Sequence, residues 1–245
     1  GNNNAAVQAD FIQTPQYIET ITCGMYHEAN TYEVIETNTQ KTVFRVEEIS
    51  SILFRCACLL KCPPSNRPYE SRIYNNNSQV VATCSRPCKC SFLCICRPEV
   101  IIKDPTDAQI GRVVNPCPAF LWCNMKVSVQ NEMDFDEYHL SVCLCNFHVC
   151  CEWCAGPWAE TEITVTPGEG MDSSQAPIGI KKYWSGFAKE CYSPADEYDF
   201  DVPDIWNDGQ WAKFIAALQL FDMLFFEQYF QCFALLNIKC SCWTC

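Results

Sequence analysis

Positive charge is scarce in this chain. Its 245 residues hold 17 lysines and arginines against 29 aspartates and glutamates, a net charge of −12. So acidic a balance argues against a nucleic-acid surface and against simple electrostatic adhesion to anionic lipid. Lys181 and Lys182 adjoin, but two cations do not make a polybasic lipid patch or a nuclear-import patch. Histidine is rarer still. His27, His139 and His148 are far apart in sequence, and none lies in a recognisable nucleophile motif. His148 stands near Cys150, yet a histidine beside a strand cysteine is ordinary packing. There is no glycine-rich phosphate loop and no internal repeat of fixed period, so conventional catalysis has little to rest on. A membrane-spanning run is interrupted as well. The most apolar segment, Trp211 to Leu236, is crossed by Lys213, Asp222 and Glu227. An aspartate at mid-span costs about 2.5–3.5 kcal/mol on insertion, which favours burial inside protein over crossing a bilayer.

What is present is β-rich. TYEVIET and TVFRV flank Asn38-Thr39-Gln40, SRIYNN and QVVAT flank Asn75-Asn76-Asn77, and PEVIIK and IGRVVN flank Asp104-Pro105-Thr106-Asp107. KVSVQN and YHLSVCLC flank an acidic turn, and ETEITVTP precedes Gly168-Glu169-Gly170. Alternating, β-branched runs at this spacing predict antiparallel hairpins, about ten to twelve strands in all. A helix without a water-facing side then follows, and such a helix must be enclosed. A closed sheet with the helix threaded through it removes the strand edges and keeps the helix dry. The expected organisation is a polar tail over 1–16, a barrel over 17–236 with its helix at about 211–236, and a cysteine-rich tail over 237–245.

Cysteine is abundant, at 21, an odd number. Cys56 and Cys58, Cys143 and Cys145, and Cys240 and Cys242 are each two apart, which makes them neighbours on one strand face rather than partners across a fold. Reduced or modified thiols are therefore expected rather than a disulfide scaffold. Asn76-Asn77-Ser78 is a glycosylation sequon, though three-residue matches are common. The opening GNNNAAVQAD contains no apolar signal segment, and the compartment stays open.

Several stretches together carry a specific resemblance: NTYEVIE, RPYESRIYNN, CSRPCKCSFLCICRPEVIIKD, IGRVVNPCPAF with its following QNE, and GIKKYWSGFAKECYSPAD leading into a helix that ends FDMLFFE. In this order, over roughly Tyr17 to Glu227, the chain resembles the phospholipid scramblases, a branch of the tubby-like barrel superfamily. The resemblance implies a mainly β fold, a closed antiparallel barrel of twelve strands around a C-terminal helix. It also implies calcium binding beside that helix, S-palmitoylation in the central cysteine cluster, and movement of phospholipid between leaflets at the cytoplasmic face of a membrane.

Residue by residue, calcium falls to Asp196, Asp199, Asp201, Asp204 and Asp208, because that ion takes six to eight oxygen ligands. The family pattern opens with an aspartate where this chain has Pro194 and closes with one at Ile205, one place after Asp204. The alternative is a solvated acidic loop facing a helix N-terminus. The thiol cluster is Cys84, Cys88, Cys90, Cys94 and Cys96, for which acylation, burial as small hydrophobes and, less favoured, zinc are the readings. Phe221, Phe225, Phe226 and Trp184 are core aromatics or contacts for an apolar ligand. Three functions follow. The first is a membrane-associated protein binding or translocating phospholipid, with calcium as regulator. The second is a soluble barrel holding a lipid or pigment, and the third is a structural subunit of a larger assembly.

Overall fold

The computed structural model describes residues 6–14, 29–49, 68–87, 97–116, 124–143, 160–172, 175–183 and 197–225. Twelve strands are laid down in order: β1 (Ala6–Gln13), β2 (Thr31–Glu36), β3 (Lys41–Glu48), β4 (Tyr69–Asn75), β5 (Val80–Arg86) and β6 (Glu99–Lys103), then β7 (Gln109–Val114), β8 (Asn124–Asn131), β9 (Asp136–Cys143), β10 (Glu160–Pro167), β11 (Ile178–Tyr183) and β12 (Glu197–Pro203). Each pairs antiparallel with its neighbours, and β1 pairs with both β2 and β12, so the sheet closes on itself. The expected closed barrel of twelve strands is present.

Two segments differ from expectation. The stretch 6–13 was expected to be a polar tail, but it is β1, the strand that closes the barrel. It was overlooked because Gln13, on its inward face, is polar; its Nε2 donates to Asn30 Oδ1 at 3.2 Å. The acidic segment before the helix was expected to be a loop, but Glu197–Pro203 within it is β12. Its alternation is regular. Tyr198, Phe200 and Val202 enter the core while Glu197, Asp199 and Asp201 face outward.

At one rim the connections are short. Gln40, Ser78, Asp107 and Asp134 each take left-handed backbone there, at φ 55°, 58°, 69° and 65°. In three of these turns an opening Asn or Asp holds the loop. Asn75 Oδ1 accepts from the N–H of Asn77 and Gln79, Asp104 from Thr106 and Ala108, and Asn131 from Met133 and Phe135. These Asx turns explain why so few glycines suffice. The register shifts just beyond each of the four turns. The connections β1–β2, β3–β4, β5–β6, β7–β8, β9–β10 and β11–β12 leave from the opposite rim, as strand alternation requires.

The helix α1 (Asp208–Phe225) enters at the short-turn rim. It starts three residues earlier than expected because Asn207 caps it. Asn207 Oδ1 accepts from the Gln210 N–H at 2.9 Å, and Gln210 Oε1 accepts from the Asn207 N–H at 3.0 Å. Such a reciprocal pair satisfies two otherwise orphaned donors. Every side chain from Trp211 to Met223 is buried. Contacts surround the helix: Trp211 packs on Phe44 of β3 at 5.3 Å, and Phe214 meets Phe200 of β12 edge-on at 4.8 Å. Ser71 of β4 donates to Gln219 Oε1 at 3.1 Å. The helix occupies the barrel axis. Among the described residues, no helix is long and apolar enough to cross a membrane.

Candidate functional site on the helix axis and the outer carboxylate face

Two of the charges that interrupt the apolar segment, Lys213 and Asp222, have partners on the wall. Lys213 Nζ donates to both carboxylate oxygens of Glu137 at 2.5 and 2.6 Å, in a pair almost wholly removed from water. Glu137 reaches inward because of a bulge. Gln130 lies opposite Asp136 and Val129 opposite Tyr138, which leaves Glu137 as the extra residue. A bulge re-aims a side chain in this manner. Gly111 makes room for the lysine, since a Cβ there would lie 2.8 Å from Lys213 Cδ and 2.6 Å from Gln130 O. Nine residues further along α1, Asp222 Oδ1 accepts from Tyr198 Oη at 2.6 Å and Asp222 Oδ2 from Tyr32 Oη at 3.3 Å, all three buried. Tyr32 stacks on Phe11 at 4.7 Å, so its hydroxyl is aimed by a packed ring. The helix is therefore tied by polar contacts near both ends. These contacts orient it within the wall.

Outside the barrel, β1 and β12 present carboxylates to one another. Asp10 lies directly across from Asp199, with Glu197 and Asp201 two residues to either side on the same face. Asp199 accepts weakly from Gln8 Nε2 at 3.3 Å and from Tyr183 Oη at 3.4 Å. Partial burial first, then the neighbouring Asp199 and Glu197, hold the Asp10 carboxyl above its usual range, against a hydrogen bond from Thr37. Burial and Asp199 do the same to Asp201.

The expected calcium residues are not gathered. Asp199 and Asp201 are on the outer wall, whereas Asp204 is exposed in the turn after β12 and Asp208 is exposed at the helix start. Asp196 and Pro194 lie outside the described residues. At about 3.3 Å per residue, Asp199 and Asp204 are separated by roughly 16 Å of chain. Among the described residues no group of three or more His, Cys, Asp or Glu could hold a metal ion.

Of the thiol cluster, Cys84 is fully buried on the inward face of β5. Burial pushes its thiol up to about 12, against a hydrogen bond with Ser71. Acylation needs an exposed, ionisable thiol, so Cys84 is a core side chain. Cys88, Cys90, Cys94 and Cys96 lie outside the described residues. Phe221 is fully buried among core residues. Phe225 closes the helix, while Trp184 and Phe226 lie outside the described residues. Sequence reasoning missed Glu137, Tyr32, Tyr198 and Asp10. Only the odd charges on an apolar helix, Lys213 and Asp222, announced that partners must exist.

The scramblase family model matches residues 4–228, the span that contains all twelve strands and α1. Human phospholipid scramblase 2 is 28% identical over 227 residues, covering 90% of this chain and 69% of its own length. Rat phospholipid scramblase 1 is 29% identical over 226 residues (90% of this chain, 61% of the relative), and human phospholipid scramblase 1 is 30% identical over 226 residues (90% and 64%). The chain thus spans less than two thirds of the length of two of these three relatives. No solved structure matches it. With a family match running from the first strand to the end of the threaded helix, the chain belongs to the scramblase family.

Proposed function

We propose that the chain is a membrane-associated protein that binds phospholipid and translocates it between leaflets. One observation carries the proposal: the family match coincides with the complete barrel and its axial helix, not with a fragment of them. The relatives named phospholipid scramblases share that span. Because side chains from Trp211 to Met223 fill the axis, we place the lipid outside the barrel, at its wall and rims. The rim from which the long connections leave is the proposed membrane side. The connections 87–98, 144–159 and 49–68 join strands at that rim, and their sequences hold most of the chain's cysteines, including Cys88, Cys90, Cys94 and Cys96. Two or more acyl chains there would give a stable anchor at a cytoplasmic membrane face.

Reconstitution tests this directly. Vesicles of phosphatidylcholine carrying a trace of fluorescent phospholipid are exposed to an impermeant quencher, with and without the protein, in calcium and in chelator. The proposal predicts loss of fluorescence beyond the outer-leaflet fraction. Quenching that stops at the outer leaflet in both conditions sinks it. Calcium regulation is a separate arm of the same assay, because the described carboxylates do not assemble a coordination sphere.

A further inference from the structure

Four large apolar side chains are exposed on the described surface. The three most exposed stand at one end, and Ile49, 41% exposed, lies at the other, just after β3. Met133 is 67% exposed, Phe135 55% and Ile205 66%, and all three sit at the short-turn rim. Met133 and Phe135 belong to the turn between β8 and β9, and Ile205 to the turn between β12 and α1. The connection between β10 and β11 joins them. Gly170 N–H donates to Asp136 O at 2.9 Å, and a Cβ on Gly170 would lie 3.4 Å from Phe135 Cβ. At the far side of that connection, Trp206 Nε1 donates to Gln175 O at 2.8 Å, which fixes the turn bearing Ile205. The three apolar tips therefore stand on one hydrogen-bonded platform.

The charge of that platform is of one sign. The three connections carry Glu132, Asp134, Glu169, Asp172 and Asp204, Asp208 opens α1 beside them, and the connections' sequences contain no lysine or arginine. Among the described residues, Arg112 on β7 pairs with one of these carboxylates, Asp134, at 3.2 Å. We propose that the short-turn rim is a docking surface for a basic, apolar segment of a partner protein. Exposed Met, Phe and Ile side chains supply the apolar contact, and the excess of carboxylates over cations in these connections selects lysine and arginine over acidic partners. An anionic lipid surface is disfavoured at this rim by the same charges, and the long connections leave from the other end.

The test uses the full chain and a fluorescent amphipathic peptide of lysine and leucine, read by anisotropy at low and high salt. Binding at low salt is expected to weaken about tenfold or more in Met133→Ser/Phe135→Ser/Ile205→Ser, the loss expected for removal of central apolar anchors. Glu132→Gln/Asp204→Asn is expected to weaken it severalfold and to flatten its salt dependence. The outer-wall pair Glu33→Gln/Glu162→Gln is expected to leave it unchanged. Because the substituted rim side chains are exposed, equal urea midpoints certify the fold of each variant. The proposal is overturned if the peptide fails to bind or if the triple variant binds like the parent. Equal weakening by the wall pair also overturns it. So does loss of phosphatidylcholine-vesicle binding in the triple variant with peptide binding intact, which would make the rim a membrane face instead.

Discussion

Lys213 and Glu137 illustrate how a charge can sit inside an apolar barrel, held at 2.5 Å and almost wholly removed from water. Removing one member of such a pair strands the other, at a cost of about 3–5 kcal/mol, whereas an apolar replacement of both is far milder. Lys213→Met and Glu137→Leu are each expected to lower the unfolding free energy by that amount, and the double variant to recover most of it. Denaturant titrations of the three variants measure the coupling. Strictly additive losses would mean the pair contributes nothing specific.

On the outer face, Asp10 and Asp199 oppose each other, an arrangement that costs a few tenths to about 1 kcal/mol. The sign of the pH effect follows from the raised carboxyls. An acid held above its unfolded value of 3.8 costs stability once pH climbs through that value, and costs nothing below it. Asp10→Asn is therefore expected to stabilise the protein at neutral pH by about 0.5 kcal/mol. The gain should fade as pH falls toward 3.8, in urea midpoints measured across that window. Cys84 gives a third check. With its thiol raised to about 12 and fully buried, it should resist alkylation in the native protein and react only once urea unfolds it. Peptide mapping after a timed iodoacetamide pulse reads this, and early labelling of Cys84 would contradict its place in the core.

At the level of elements, most strands were legible because β-branched residues alternate along them and turn residues bound them. β5 and β7 are clear instances. β1 was not, since its inward face ends in Gln13, whose partner Asn30 is remote in sequence. β12 hid differently. Its outward acidic residues invited a metal-loop reading, although Tyr198, Phe200 and Val202 kept strict alternation. The helix was legible from its hydrophobicity, but its start was not, because the polar Asn207–Gln210 cap precedes the apolar run. The wall partners of its charges were not, because only the bulge in β9 turns Glu137 inward. Close approach also leaves a mark here. Gly111→Ala would bring a Cβ within 2.6 Å of Gln130 O and 2.8 Å of Lys213 Cδ. It is expected to destabilise the barrel by about 1–3 kcal/mol in thermal or urea unfolding, and a neutral outcome would show that the lysine can be rerouted freely.

For the whole molecule, closure and threading set the functional geometry. A barrel whose axis is filled by a helix cannot conduct lipid along that axis, and its two rims differ in kind. One has tight, acidic, apolar-tipped turns; the other bears long connections rich in cysteine. The family resemblance was readable from motifs, whereas this polarity of the two ends appears only once strand direction is known. The central claim is that α1 stays sheathed when the protein meets a lipid surface. Hydrogen–deuterium exchange of the protein on phosphatidylcholine vesicles, compared with the protein alone, tests it most directly. The account predicts that amides 211–223 remain as protected as those of β1 and β12 in both states. Loss of protection along β1 and β12 on vesicles, with the helix amides still shielded, would show that the helix has left the barrel for the bilayer and would contradict it.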